Sequence, residues 1–182
     1  MNYKFYILFL FHTTVFASND SIFLSKGSGF YESFFLKANS HFGQIVYETD
    51  GSEPDNYSKK LNDSLEINET KVIKFGLKIN NKIVFKRTCF YLINFKSSFP
   101  VLSISTNPKN LYDNRTGIYV KGPNAWQDSS GYWINANYTK KWEKKVAINY
   151  FDSKGNEIIN QYSGLRIFGG MTRHRKEKSL RI

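Results

Sequence analysis

The feature that most constrains the fold of this chain is a period-two alternation of apolar and polar residues, which recurs in short runs between residues 21 and 94. Residues 73–79 place Ile, Phe, Leu and Ile at every second position, and residues 64–68 repeat the pattern with Leu and Ile. Successive side chains of a β-strand point to opposite faces, so these runs predict strands with one buried and one solvated face. No comparable helical periodicity is present, and the alternation therefore predicts a mainly β chain.

Clusters of turn-forming residues separate these runs. They lie at Asp50–Pro54, Asn62–Asp63 and Asn80–Asn81. Asn, Asp, Gly and Pro favour the backbone angles that tight turns require. Several short strands broken at this spacing predict an immunoglobulin-like antiparallel β-sandwich.

Composition limits the partners that the chain can have. The 182 residues are 41% hydrophobic and 17% aromatic, which is enough apolar material for one or two small cores and too much for disorder. A formal net charge of +11 favours an anionic partner, such as a surface polymer or the phosphates of a nucleotide. No recognised nucleic-acid motif accompanies the charge, so nucleic acid is not an expected partner.

Residues 1–17 differ in character from the rest of the chain. Lys4 is followed by a mostly apolar run over residues 5–16 and then by the small residue Ala17. This pattern predicts a signal peptide cleaved after Ala17 and hence a secreted or cell-surface protein. A membrane anchor is the alternative, but the run is shorter than the roughly 20 residues that span a bilayer. No later stretch is long and apolar enough to be a transmembrane segment.

Cys89 is the single cysteine of the chain, so it has no partner for an internal disulfide. No histidine lies close to it in sequence. We therefore expect Cys89 to be a small buried apolar residue and not a nucleophile or metal ligand.

A second β-rich unit is expected after a short linker at residues 96–100, because Pro100 ends the register of the preceding strand. Strands are predicted at 101–105, at 117–120 and within 142–151. Between the first two, Asn107 and Pro108 have the residue types of a helix cap and first helical position, and they predict one helical turn over 107–112.

The first unit has Tyr47, Thr49 and the run Asp50–Ser52 followed by Pro54, with Glu48 inserted between Tyr and Thr. This motif resembles the Tyr-Thr-x-Asp-Gly-Ser-x-Pro strand of the chitobiase/β-hexosaminidase C-terminal-type β-sandwich module. The resemblance implies that residues 21–95 form an accessory module of an exported bacterial protein, with no catalytic activity of its own.

Five phrases follow one another in the second unit: residues 99–104, 107–113 with 116–120, 142–146 with 151–152, 164–170, and 172–173 with 178–181. Their content and order resemble the N-terminal region of CotH-like proteins, which are atypical secreted kinases first described from spore coats. The resemblance implies that residues 98–182 begin a CotH kinase-like α+β domain. It also implies that the full-length form uses ATP and Mg²⁺ to phosphorylate a surface or coat protein.

The closing segment of the chain has residues suited to phosphate binding. Gly169 and Gly170 follow a predicted strand and would let backbone amides approach a phosphate, while Arg173 and Lys178 would neutralise its charge. These four residues are the candidate nucleotide-binding set. The spacing is not that of a Walker loop, because no glycine directly precedes Lys178. A glycine-containing β-bulge followed by a basic edge strand is the alternative interpretation.

In the resembled family, the metal-binding and catalytic acids lie beyond the region that corresponds to Ile182. We therefore expect this chain to be a truncated fragment without kinase activity, and no catalytic or metal-ligating residue is assigned in it. Phosphoryl transfer requires carboxylates that hold magnesium and a group that positions the acceptor hydroxyl.

A different class of function is also compatible with the sequence. Trp126 and Trp133 could stack on sugar rings, because aromatic faces suit the apolar faces of carbohydrates. They would then belong to a non-enzymatic surface adhesion or glycan-binding β-sandwich protein with a cell-wall glycan as partner. The alternative role of these side chains is to close a small hydrophobic core.

Overall fold

The structure is a computed structural model that describes residues 22–182, which contain fourteen β-strands, one short α-helix and two 3-10 turns. The predicted signal peptide, residues 1–17, lies outside the described residues. The strands are β1 (Phe23–Leu24), β2 (Gly29–Tyr31), β3 (Phe34–Asn39), β4 (Gln44–Glu48), β5 (Lys59–Lys60), β6 (Ser64–Ile67), β7 (Lys71–Ile79), β8 (Lys82–Ile93), β9 (Val101–Ser105), β10 (Trp126–Gln127), β11 (Trp133–Ile134), β12 (Lys144–Phe151), β13 (Glu157–Ile167) and β14 (Leu180–Arg181). The helix is α1 (Pro108–Tyr112), and the 3-10 turns are Asn137–Thr139 and Met171–His174.

The first eight strands form two sheets that enclose the main hydrophobic core. One sheet has the order β1-β3-β6, and the other has the order β2-β8-β7-β4-β5. The alternating positions identified in the sequence lie in this core, which includes Leu36, Ile67, Ile73, Phe75, Leu77, Cys89 and Tyr91. The predicted mainly β fold of sandwich type is confirmed, and so is the burial of Cys89.

The longest hairpin of the sandwich joins β7 to β8 through Asn80 and Asn81. Both residues have positive φ, at 49° and 59°, and Ile79 pairs with Lys82 across the turn. Two left-handed central residues match the right-handed twist of the flanking strands, and asparagine tolerates that conformation. The turn predicted at Asn80–Asn81 is therefore confirmed.

One strand pair departs from the antiparallel pattern. Short strand β2 runs parallel to β8 at the edge of the five-stranded sheet, with Phe30 opposite Leu92. The chain crosses from the three-stranded sheet in β1 to the other sheet in β2 and returns in β3. That crossing sets the direction of β2. A strand direction of this kind cannot be predicted from short-range sequence patterns.

The third sheet, with the order β14-β13-β12-β9, covers the outer face of the sandwich. Phe151 at the end of β12 is fully buried and clusters with Phe90 and Leu92 on β8, and with Phe30 and Val101. The last six residues of β8 are all buried, so this part of the strand has no solvated face. The five-stranded sheet thus lies between two other sheets.

Polar side chains also lie in this contact. The hydroxyl groups of Thr88 on β8 and Tyr162 on β13 share a hydrogen bond of 3.3 Å. Asn149 on β12 is fully buried, and its amide group donates to Glu157. The Thr88–Tyr162 bond joins the two sheets and favours one alignment of them over others, whereas the Asn149–Glu157 bond joins neighbouring strands of the third sheet.

The predicted helical turn is confirmed, whereas the predicted strand at 117–120 is wrong. The side chain of Asn107 caps α1 by accepting a hydrogen bond of 2.9 Å from the backbone of Lys109. The next segment folds back on the helix: the amides of Ile118 and Tyr119 donate to the carbonyls of Asn110 and Leu111, both at 2.9 Å. These amides are satisfied locally, so the segment forms turns instead of a strand.

No helix within residues 22–182 combines the length and the apolar character needed to cross a membrane.

The Asp50–Pro54 turn is fastened to the sandwich by an ion-pair network. Glu53 accepts from Lys74 at 2.8 Å and from Lys86 at 3.0 Å. The Lys74 side chain is only 5% exposed. The same turn touches the second unit, since a Cβ on Gly51 would lie 2.6 Å from the carbonyl oxygen of Thr106.

The substitution Glu53→Gln should lower the free energy of unfolding by about 1–3 kcal/mol, because it leaves the buried Lys74 ammonium without a carboxylate. Glu53 is itself 37% exposed, so the loss should fall short of that for a fully buried pair. Urea denaturation measures the change. The matched control is Glu69→Gln, which removes an exposed partner of Lys71 and should cost less than about 1 kcal/mol. Equal effects of the two substitutions would contradict the prediction.

The contribution of Glu53 should depend on pH. Burial of the carboxylate opposes its ionisation, but hydrogen bonds from Lys74 and Lys86 outweigh burial and lower the pKa of Glu53. Such a group stabilises the fold above its unfolded pKa of about 4.3, and this stability is lost as pH falls through the folded pKa. The difference in stability between wild type and the Gln variant should therefore shrink below about pH 4.

The substitution Phe151→Ala should destabilise the protein by about 3–5 kcal/mol, because it opens a cavity where the third sheet meets the sandwich. Ile158→Ala on β13 is the control, since that side chain is 60% exposed and should cost no more than about 1 kcal/mol. Thermal and urea denaturation measure both. A mild effect of Phe151→Ala would show that the contact contributes little to folding.

Candidate functional site

The four candidate nucleotide-binding residues lie in the segment between β13 and β14. After Ile167 the chain leaves the sheet, forms the 3-10 turn Met171–His174, and returns so that Leu180 pairs with Ile167. Strand β14 is the edge of the four-stranded sheet. The whole segment therefore lies at one side of the second unit, outside the contact with the sandwich.

The two glycines of the segment differ in what they require. Gly169 has a φ of 104°, in the region that favours glycine, and a Cβ there would lie 2.1 Å from the Thr172 hydroxyl oxygen. A Cβ on Gly170 would meet no atom within 4 Å among residues 22–182. Gly169 is thus needed for the turn itself, whereas Gly170 leaves open space beside the backbone.

Arg173 joins the segment to another part of the second unit. Its guanidinium group donates to the carbonyl oxygen of Gly169 and, at 3.1 Å, to that of Thr139. Thr139 ends the 3-10 turn Asn137–Thr139. The side chain is half-buried, and these two bonds fix its orientation.

Lys178 is held over two aromatic rings. Its ammonium nitrogen lies 4.4 Å from the ring centre of Tyr138 and 5.4 Å from that of Tyr119, and it donates to the carbonyl of Arg175 at 2.6 Å. The Lys178 backbone amide donates to the Tyr119 hydroxyl at 2.9 Å. Burial lowers the pKa of Lys178.

The cations of the second unit have no carboxylate partners among the described residues. Residues 101–182 contain fourteen Lys and Arg against six Asp and Glu. The three ion pairs found within residues 22–182 all lie in the sandwich and involve Glu53 or Glu69. Excess positive charge is therefore concentrated in the unit that carries Arg173 and Lys178.

Tyr119 and His174 are two further residues of this region that the sequence did not indicate. The His174 ring lies edge-on between Tyr132 and Tyr138, at centre distances of 5.2 and 5.5 Å. Tyr119 is separated from Lys178 by 59 positions in the chain. Contacts at such separations leave no signal in a single sequence, because they depend on how the turns pack.

The two candidate glycan-stacking tryptophans lie on one small hairpin but on opposite faces of it. Strands β10 and β11 pair Trp126 with Ile134 and Gln127 with Trp133. Trp133 is half-buried against a small core, and the ammonium of Lys121 lies 3.9 Å from its ring centre. Trp126 is 57% exposed. The hairpin therefore does not offer both rings to one ligand face.

No group of three or more His, Cys, Asp and Glu side chains within residues 22–182 is arranged to hold a metal ion.

Comparisons of the chain with protein-family models, with curated proteins and with solved structures found no match.

The substitution Gly169→Ala should destabilise the protein by about 1–3 kcal/mol, because alanine is strained at positive φ even if the Thr172 hydroxyl rotates away. Gly170→Ala is the matched control and should change the free energy of unfolding by less than about 1 kcal/mol, since its methyl group enters open space. Urea denaturation of the two variants measures the difference. A larger loss at Gly170 would show that this backbone is more confined than the geometry indicates.

Proposed function

We propose that this chain is the amino-terminal part of an exported CotH-like kinase, in which the segment from Gly169 to Arg181 contacts the phosphates of ATP. The β-sandwich is the accessory module of that protein, and a surface or coat protein is the phosphate acceptor of the full-length form. Export depends on the predicted signal peptide at residues 1–17.

The observation that supports nucleotide contact is the set of unused donors on Arg173 and Lys178. A guanidinium group has five N–H donors and an ammonium group has three. Two donors of Arg173 and one of Lys178 bind backbone carbonyls, and no carboxylate neutralises either charge among the described residues. Both groups can therefore donate further hydrogen bonds to an anion without leaving their present positions.

The open backbone at Gly170 supports the same proposal. With no side chain at this position, a phosphate oxygen can approach the backbone of the segment that carries the two cations. Charge-assisted hydrogen bonds from a guanidinium group to phosphate are stronger than neutral ones and carry directional preference. The anchoring carbonyls of Gly169, Thr139 and Arg175 hold the donors in place before the ligand arrives, which reduces the entropy lost on binding.

Magnesium enters this proposal only through the full-length form. In that form carboxylates outside the described residues would hold the ion, and the ion would neutralise charge that develops on the phosphates. The roles of this chain's own residues are to bind and orient the phosphates. No proton transfer is assigned to them.

The test is a titration of the chain with ATP, with and without Mg²⁺, followed by the NMR shifts of the backbone amides from Gly169 to Thr172. We expect saturable shifts there. Lys178→Met, which keeps the stem packed on Tyr138, should weaken binding at least about tenfold. Gly170→Ala should weaken binding by a similar factor while changing the free energy of unfolding by less than about 1 kcal/mol.

Two further variants test whether binding depends on the guanidinium geometry and on the position of the charge. Arg173→Lys keeps the charge but removes the planar fork, so its affinity should fall between those of wild type and Lys178→Met. Lys82→Met removes an exposed cation of the sandwich and should leave affinity unchanged. Undiminished affinity in both the Arg173 and Lys178 variants would reject nucleotide contact, and an equal loss in Lys82→Met would indicate nonspecific charge attraction.

A further inference from the structure

The hairpin β10–β11 presents an aromatic face that the proposed kinase function does not use. The pairing of Trp126 with Ile134 places these side chains on one face, and the hydrogen bond from the Asp128 amide to the Tyr132 carbonyl extends the same register. Tyr132 therefore lies on the face of Trp126. The exposed fractions are 57% for Trp126, 40% for Tyr132 and 37% for Ile134.

The opposite face of the hairpin anchors it. Trp133 packs against the small core that contains Ile118 and Tyr138, and Lys121 covers its ring at 3.9 Å. Gln127 closes the loop by donating to the carbonyl of Gly131 at 2.7 Å. The Trp126 face is thus held on a fixed support, and a ligand would meet a preformed surface.

Polar and cationic groups border this face. Lys140 donates to the side chain of Asn135, next to Ile134, and Asn135 donates to the carbonyl of Asn124 at 3.1 Å. Asp128 is the one acidic residue between residues 121 and 142, and its Oδ1 accepts hydrogen bonds from the amides of Ser130 and Tyr132. The surroundings of the aromatic face therefore favour an anion.

We infer that the Trp126 face of the hairpin is a binding site for an acidic polysaccharide containing uronic acid residues. The flat indole ring stacks on the apolar face of a sugar, as in other aromatic recognition of amphipathic ligands. The ammonium group of Lys140, which is bonded to Asn135 at the end of the hairpin, attracts the carboxylates. Trp133 is the second tryptophan that the sequence predicts to stack on a glycan. In the structure it supports the hairpin, and in this proposal it does not contact the ligand.

This site adjoins the phosphate-contacting segment but differs from it in chemistry. The segment offers cations on backbone-anchored side chains, whereas the hairpin offers an exposed aromatic surface with cations at its border. The two meet where His174 contacts Tyr132. Substitutions at Trp126 and at Gly170 should therefore affect different ligands, and either proposal can fail alone.

The experiment compares two oligosaccharides of the same length and linkage that differ only in their carboxylates, a mannuronate oligomer and a mannose oligomer. Isothermal titration of the full chain with each measures affinity. We expect the mannuronate oligomer to bind more tightly than the neutral one. Trp126→Ala should weaken mannuronate binding about fivefold to tenfold, and Lys140→Met should weaken it by a factor that decreases with added salt.

Two controls separate the site from general attraction to a basic protein. Tyr57→Ala removes a sandwich aromatic that is 96% exposed and should leave affinity unchanged. Polyglutamate of similar charge should bind more weakly than mannuronate, and its binding should not depend on Trp126. Circular dichroism of Trp126→Ala shows whether the fold is intact.

Three results would overturn the proposal. Equal affinity for the two oligosaccharides would exclude selection by charge, and no binding of either would exclude the site. Mannuronate binding that is unaffected by Trp126→Ala would show that the polymer binds the basic surface at large.

Discussion

The packing of Phe151 against Phe90 and Leu92 is the contact on which the arrangement of the whole molecule depends. It joins the third sheet to the outer face of the sandwich, so that the five-stranded sheet is covered on both sides around β8. The ring of Phe30 also packs there, and the Gly155 turn fits closely against it. Because cores pack closely and transmit displacements, the two β-rich units are expected to move as one body and not as modules on a flexible tether.

The segment after β13 and the hairpin β10–β11 lie outside this contact. The segment after β13 packs on the 3-10 turn Asn137–Thr139 through Arg173, and the Tyr138 ring of the same turn carries Lys178. The hairpin that bears Trp126 rests on the small core beside them. Two chemically different surfaces thus share one support: cations anchored on backbone carbonyls, and an exposed aromatic face.

Much of the sandwich could be predicted from sequence, because each prediction rested on a local physical preference. Alternation in residues 73–79 identified the core face of β7, the two asparagines at 80 and 81 identified the hairpin turn, and Asn107 with Pro108 identified the helix start. The strand predicted at 117–120 failed for a different reason. Its apolar residues suit a strand, but the amides of Ile118 and Tyr119 donate to carbonyls of α1 that lie eight residues earlier in the chain. Contacts formed in the folded protein thus override the local preference for a strand. The direction of β2 was likewise decided by the crossing between sheets.

The candidate site also combines features that the sequence sets with features that tertiary packing sets. The amino-acid sequence by itself determined the excess of positive charge in residues 101–182, the glycine pair, and the two tryptophans at 126 and 133. These are properties of composition and residue order. Only the tertiary structure decided that Gly169 is conformationally required while Gly170 is open, that Trp126 and Trp133 face opposite ways, and that Lys178 lies over Tyr138. The physical reason is that these features depend on strand register and on contacts between residues far apart in the chain, and such contacts exist only after the sheets have packed.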